Sequence, residues 1–204
     1  SAELIVREAA RIASLVEELM VFTQGGSIVL CPVNVHRVLD DVLQLVAAEE
    51  GATKLQVQGL YDPAIPGLLL DADRLRQVCL NLARNALQAR EGSGTLGVET
   101  RTALDHRIVL PGGESLPTLL VDIADDGSGI EPELLDQVTT PLFTTRPGGT
   151  GLGLAVARHW VTRHEGSLRI ESQPGQGTRV RVALPMRFAV DAAEDLEAEK
   201  ESGA

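Results

Sequence analysis

Residues 125–130 read Asp-Asp-Gly-Ser-Gly-Ile and residues 148–154 read Gly-Gly-Thr-Gly-Leu-Gly-Leu, with Asn81-Leu-Ala-Arg-Asn85-Ala about forty residues ahead of the first run. A glycine cluster on its own marks a turn. Here a strand-end carboxylate, amides on a helix and a glycine-opened helix occur in one order, with Pro141-Leu142-Phe143-Thr144-Thr145-Arg146 directly before the last glycine run. That combination suits a nucleotide. Neither run fits GxxxxGK[ST], or the GxGxxG that follows the first strand of a dinucleotide-binding fold, so the scaffold is a different one.

Periodicity around these runs supplies the scaffold. Asp71 caps a predicted helix over 72–90 whose apolar stripe is Leu75, Val78, Cys79, Leu82 and Ala86. Upstream, Asn34 caps a second helix running to about Ala48, striped by Val35, Val38, Leu39, Val42 and Val46. Alternation predicts strands at 54–60, with Leu55 and Val57 inward, and at 68–70. Further strands are expected at 95–103 and 117–124, joined by a loop through Pro111-Gly112-Gly113. Residues 131–150 lack sustained periodicity beyond a turn near Pro132–Val138 and read as a mobile lid. A helix from Leu152 to His164, closed by Gly166, precedes a hairpin at 167–172 and 178–184. Helices with mostly antiparallel strands give an α+β two-layer α/β sandwich.

Residues 4–23 form an amphipathic helix whose seam is Ile5, Ala9, Ile12, Val16 and Leu19, widened by Leu15 and Phe22 and ended by Gly25-Gly26. It needs a partner helix; packing on its own domain is the alternative. The expected organisation is a helical segment at 1–26, one domain at 27–188 and an acidic, disordered tail at 189–204.

Composition narrows the options. A net charge of −11 argues against nucleic acid as a partner. Aromatic residues at 2% leave the core to Leu, Val, Ile and Ala. Two cysteines, Cys31 and Cys79, are too few for a disulfide framework or a zinc site, and Cys79 reads as core. No run approaches the ~20 apolar residues of a membrane span, so a cytoplasmic chain without membrane contact is expected.

The chemistry follows residue by residue. Asn81, Asn85 and Gln88 share one helix flank with Arg74, beside the apolar stripe, where uncharged amides serve better as ligands than as core. An Asn oxygen suits Mg²⁺, which keeps several waters and takes its remaining ligands from phosphates. Asp125, at the mouth of an apolar pocket, can accept from the exocyclic amine of adenine, where guanine would present an acceptor. Gly127 and Gly129 are expected where base and ribose pass close to the backbone. Thr150-Gly151-Leu152-Gly153-Leu154 opens a helix whose first amides suit phosphate oxygens, and Arg146 can swing onto the terminal phosphates. Phe143 is either a lid anchor or a core aromatic. His36, His159 and His164 read as surface or satisfied structural residues. His106–Pro111 reads as a loop coincidence.

These residues carry a resemblance to the histidine kinase/gyrase/chaperone ATPase superfamily, covering about residues 4–187. Asn81–Asn85 resembles its N box, Asp125–Ile130 its G1 box, Pro141–Phe143 its F box and Gly149–Leu154 its G2 box. The resemblance implies a Bergerat-type sandwich that binds Mg-ATP under a lid. It implies Asn85 as metal ligand, Asp125 as adenine reader and Thr178 as a second adenine-side contact, with Asn81, Gln88, Gly127, Gly129, Ile130, Phe143, Arg146, Gly149, Thr150, Gly151, Leu152, Gly153 and Leu154 around the nucleotide. Hydrolysing relatives carry Glu at the place of Asn81, so the chain is similar to the kinases, with Asn81, Asn85 and Arg146 as catalytic group. Asn-Ala-Leu-Gln-Ala and Pro-Leu-Phe-Thr-Thr-Arg resemble the nitrogen-regulation (NtrB-like) sensor kinases, except that Gln88 stands where many have Lys. The resemblance implies an acceptor histidine on a dimerisation hairpin upstream of residue 1, of which residues 4–24 resemble the end of the second helix. It also implies a homodimer, a response regulator and a PII-type signal protein as partners. An ATP-binding regulatory module and an anti-sigma-type serine kinase are the alternatives.

Overall fold

The computed structural model describes residues 26–49, 55–89, 93–146 and 149–188, with Val6, Ala9, Ile12, Ala13, Val16 and 19–22. Helix α1 (Val35–Ala47) starts where the Asn34 side chain accepts from the Arg37 amide at 3.1 Å. Helix α2 (Ala72–Gln88) starts likewise, the Asp71 carboxylate accepting from Arg74 N at 3.0 Å. Each cap satisfies an amide that the first turn leaves without an intrahelical partner. The expected stripes are the buried ones: Val35, Val38, Leu39, Val42 and Val46 on α1, and Leu75, Val78, Cys79, Leu82 and Ala86 on α2. With α3 (Gly153–Arg163) these helices pack on one face of a five-stranded sheet. The sheet order is β2 (Leu55–Tyr61), β4 (Gly94–Val109), β5 (Ser115–Asp125), β7 (Thr178–Pro185), β6 (Ser167–Ser172), with β2 parallel to β4 and the other pairings antiparallel. β1 (Cys31–Val33) pairs separately with β3 (Leu68–Leu70). This is the expected α+β sandwich.

Side chains alternate across the central strands. Val121 and Ile123 of β5 and Val180 and Val182 of β7 enter the helix-facing core. Asp122 faces the other way and receives Arg181 through two bonds of 2.7 Å, with Arg179 at 3.3 Å. Burial would raise this carboxyl, but the Arg181 bond and the Arg181, Arg179 and Arg101 charges hold it below the ordinary carboxylate range.

Several local expectations need correction. The loop expected over 103–117 is mostly strand: β4 runs to Val109, with a register shift between Ala103 and Arg107, and only the five residues 110–114, centred on Pro111-Gly112-Gly113, separate it from β5. His106 accordingly lies in β4. Val57 is not inward; β2 is the sheet edge, and its middle residues are exposed. The N-terminal positions described are helical, and Ile12, Val16 and Leu19 are 55%, 50% and 41% exposed, so their seam does not pack on this domain. Among the described residues of that segment, Val21 and Phe22 reach the core. Ile5 and Leu15 of the seam, Gly25, and all of the tail from residue 189 lie outside the described residues.

One buried node joins the elements. Val29 N donates to Asp71 Oδ2 at 2.9 Å, Asp71 N donates to His164 Nε2 at 3.1 Å, and His164 Nδ1 donates to the Trp160 carbonyl at 2.8 Å. An imidazole that accepts at one nitrogen must be neutral. Burial pushes His164 below the ordinary imidazole value, the Trp160 bond and the Asp71 charge opposing it only in part. The unfolded chain then takes the proton first, so stability is full above the unfolded value of about 6.5 and falls as the pH drops below it. His159, lowered by burial and Arg163, adds in the same direction. Denaturant unfolding is expected to give lower stability at about pH 5.5 than at about pH 7.5, with a smaller difference in His164→Gln. An undiminished difference in that variant would place the titration elsewhere.

Candidate nucleotide site

The apolar stripe of α2 faces the sheet, and its flank opens onto a cavity of about 620 Å³ between α2, the ends of β5 and β7, the start of α3 and residues from 130–146 and 149–151. Asn81, Asn85, Gln88, Asp125, Gly129, Ile130, Phe143, Arg146, Gly149, Thr150, Gly151, Gly153, Leu154 and Thr178 all line it. Leu82, Ala86, Ile123, Ile170 and Val180 supply an apolar wall; none of them is among the expected site residues, and Leu82 and Ala86 belong to the expected core stripe of α2. Leu82, Ala86, Ile123 and Val180 could have been found as residues one or two places from Asn81, Asn85, Asp125 and Thr178, whereas Ile170 is brought in by its pairing with Val180.

Two expected residues are elsewhere. Leu152 is fully buried in the core. Gly127 serves packing: a Cβ there would lie 2.6 Å from the Ala89 carbonyl oxygen. Gly129 lines the cavity, yet its φ of 71° and a Cβ position 2.0 Å from the Gln173 oxygen show that the neighbouring turn already excludes a side chain. Arg74, expected beside the amides, sits 4.2 Å over the Trp160 ring at the far end of α2.

Asp125 pairs with Thr178 across β5 and β7, and its Oδ1 accepts from Gly127 N at 2.9 Å. Burial raises this carboxyl, and the Gly127 and Thr178 amides and the Arg146 charge offset only part of the rise. Asp126 points away, accepting from Thr95 N at 2.8 Å to hold the start of β4.

At the opposite end, α3 begins with no side-chain cap and no acidic residue in its first turn. The leading amides of such a helix point outward with partial positive charge. Asn81 Nδ2 donates to the Gly153 carbonyl at 3.1 Å, tying α2 to that terminus. The Asn85 Nδ2 position is buried without a hydrogen-bond partner. A half turn of the amide presents Oδ1 at the same place, 3.8 Å from where a Gly153 Cβ would stand. An orphaned amide at the cavity wall fits a ligand atom that the protein itself does not supply.

The segment over the cavity is anchored at several points. Leu142 N donates to the Gly151 carbonyl at 3.0 Å, and Leu142 adopts φ 67°, a strained value for a residue with a side chain. Arg158 of α3 donates to Thr139 Oγ1 at 2.8 Å. Phe143 is half-buried on the cavity and lies outside the core cluster, which favours the lid-anchor reading. Burial lowers Arg146 from the ordinary guanidinium value, and the Asp125 charge opposes that shift. Pro147 and Gly148 lie outside the described residues.

The family of histidine kinase-, DNA gyrase B-, and HSP90-like ATPases matches residues 70–187, more than half of the chain. The chain belongs to this family, whose domain binds ATP. It is 39% identical over 186 residues to the sensory histidine kinase/phosphatase NtrB of Rhodobacter capsulatus, covering 90% of this chain and 52% of that protein. Among solved structures, the mycobacterial sensor histidine kinase MprB aligns with a TM-score of 0.64 at 27% identity, covering 78% of this chain and 99% of MprB. Full-length ShkA in complex with AMPPNP aligns at 0.74 and 25% identity, covering 91% of this chain and 38% of ShkA. The chain spans about half the length of the NtrB proteins it matches.

The close backbone approaches make the site sensitive without any ligand. Gly129→Ala is expected to lower unfolding stability by about 1–3 kcal/mol in nucleotide-free protein, because it combines strained backbone with a clash against Gln173. Loss of stability only in the presence of nucleotide would contradict this reading.

Proposed function

We propose that this chain is the ATP-binding catalytic part of a sensor histidine kinase, transferring the γ-phosphoryl group of Mg-ATP to a histidine on a dimerisation helix that precedes it in the intact protein. The observation that carries the reading is one cavity with a part-buried carboxylate, Asp125, at one end and the uncapped start of α3 at the other. Asp125 accepts from the adenine amine, with Thr178 beside it. The amides around Gly149–Leu154 and the Arg146 guanidinium hold the phosphates. Asn85 offers its amide oxygen to Mg²⁺, and the orphaned amide position fits that role. When bound, the ion neutralises charge on the β- and γ-phosphates.

Asn81 separates transfer from hydrolysis. Its amide donates to Gly153 O and has no basic group with which to take a proton from water. The nucleotide is therefore held for another acceptor. In the transfer, the bond from the bridging oxygen to the γ-phosphorus breaks as an imidazole nitrogen bonds to phosphorus, and ADP leaves.

In this reading residues 1–26 are the end of the dimerisation and phosphotransfer helix, 27–188 the catalytic domain and 189–204 an acidic tail. The exposed seam at Ile12, Val16 and Leu19 supports a second copy of the chain as its partner. The phosphoryl group passes on to a response-regulator aspartate in a two-component phosphorelay. The resemblance of the Asn-Ala-Leu-Gln-Ala and Pro-Leu-Phe-Thr-Thr-Arg runs to the nitrogen-regulation kinases leads us to include nitrogen regulation, a PII-type signal protein as input and a cytoplasmic location in the proposal. No helix among the described residues is long and apolar enough to cross a membrane.

Two outcomes are expected. Calorimetric titration gives much tighter binding of Mg-ATP than of Mg-GTP, and Asp125→Asn erases most of the difference, since an amide can turn a donor toward the guanine carbonyl; equal affinities in the unaltered chain would remove Asp125 from this role. With γ-labelled ATP, the chain alone neither labels itself nor releases phosphate appreciably, whereas a separate dimeric hairpin carrying a His-Glu-x-x-x-Pro helix becomes labelled. That label should be acid-labile and base-stable. Acid-stable label would favour the serine-kinase alternative, and rapid phosphate release by the chain alone would sink the argument from Asn81.

A further inference from the structure

Arg146 reaches from the lid to the C-terminal turn of α2. Its Nη1 donates to Gln88 Oε1 at 3.3 Å and its Nη2 to the Asn85 carbonyl at 3.4 Å. Three features make this turn a receptor for a cation. Among the described residues, the last turn of α2 carries no basic residue of its own, and Arg146 brings a cation to the negative end of the helix dipole. The Asn85 carbonyl accepts from Ala89 N at 3.0 Å and still has a second lone pair, which the guanidinium uses. Asp125 also acts on the guanidinium through its charge. A guanidinium has only donors, so the oxygen of the Gln88 amide has to face it.

We propose that Gln88 is a positioning residue, docking the lid arginine on the C-terminal turn of α2 together with the Asn85 carbonyl and acting on the nucleotide through Arg146 rather than by touching it. A lysine in this place would repel Arg146 and would itself be the cation for the phosphates. Glutamine gives the turn an acceptor instead and makes the lid the source of positive charge. The docking also sets where the lid rests. With Arg146 held on α2 and Thr139 held by Arg158 on α3, the segment between them is fixed to both helices that border the cavity.

The proposal rests on the nucleotide reading for one of its readouts and is independent of it for the other. Mg-ATP is titrated calorimetrically into the unaltered chain, Gln88→Ala, Arg146→Ala and the double variant. Gln88→Ala should weaken binding roughly fivefold and Arg146→Ala by more, with the double variant no weaker than Arg146→Ala alone. Gln88→Glu keeps the acceptor and should bind at least as well as Gln88→Ala. If the losses multiply in the double variant, or if Gln88→Glu binds worse than Gln88→Ala because its carboxylate meets phosphate, Gln88 contacts the nucleotide and the proposal is overturned. Amide hydrogen exchange supplies the second readout without nucleotide. Gln88→Ala should speed exchange at Leu142 and Phe143, whose amides donate to the Gly151 and Thr140 carbonyls at 3.0 and 3.2 Å. Unchanged exchange there overturns the docking. If the unaltered chain gives no binding heat at all, the nucleotide reading fails and the exchange arm still decides this one.

Discussion

Three stretches of backbone meet so closely around the cavity that none of them can carry a side chain at the point of contact. A Cβ on Gly177 would stand 1.9 Å from the Asp125 carbonyl oxygen, one on Gly129 2.0 Å from that of Gln173, and one on Gly151 2.5 Å from the Leu142 carbonyl carbon. Gly127 makes the fourth approach, against Ala89 at the end of α2. Two of the four contacts join the end of β5 and its loop to the turn before β7, and the other two join further pairs of elements. The loop after β5 is thereby set on the turn before β7 and on the C-terminus of α2, and the lid is set on the approach to α3. The position of Asp125 and the exposure of the first amides of α3 both follow from these contacts. Three of the four glycines, Gly129, Gly151 and Gly177, also have φ near +70° to +80°, a region that side chains disfavour.

Helix α2 converts that arrangement into a site. Its apolar stripe fixes its rotation against the sheet, and its flank of Asn81, Asn85 and Gln88 is then turned to the cavity without further instruction. The rigid side of the helix is core, so these amides are held by packing rather than by loops. At its N-terminus the same helix is secured through Asp71 and His164, a buried pair of contacts that also fixes the end of α3. Both ends of α3 are thus referenced to α2, through Asn81 at one and His164 at the other.

Much of this was legible in the chain. Helical stripes at α1 and α2 and the Asn34 and Asp71 caps could be read because a 3.6-residue period and a capping side chain are local signals. The residues lining the cavity were legible because their chemistry is unusual for their place, as with amides at a core margin and a carboxylate closing an apolar strand. What failed depended on non-local facts. Pro111-Gly112-Gly113 marked a turn correctly but gave no measure of how far the strands on either side continue, so β4 and β5 proved longer than expected. Val57 alternates like a core residue, yet β2 lies at the sheet edge, which only the strand order reveals. Gly127 is absent from the cavity lining, and the side where its Cβ would stand is taken by Ala89, a contact that no local pattern signals. Arg74 shares a flank with the amides on a helical wheel, but about two turns of helix separate it from the cavity, and Trp160 takes its guanidinium.

The central claim is that one cavity takes adenine at the end of β5 and β7 and the phosphates at the start of α3. A crystal structure of the chain with Mg²⁺ and a non-hydrolysable ATP analogue tests it most directly. The account predicts the adenine amine on the Asp125 carboxylate, the γ-phosphate between the α3 amides and Arg146, and the metal on the Asn85 amide oxygen. A nucleotide bound in the reverse sense, or a metal held without Asn85, would contradict it.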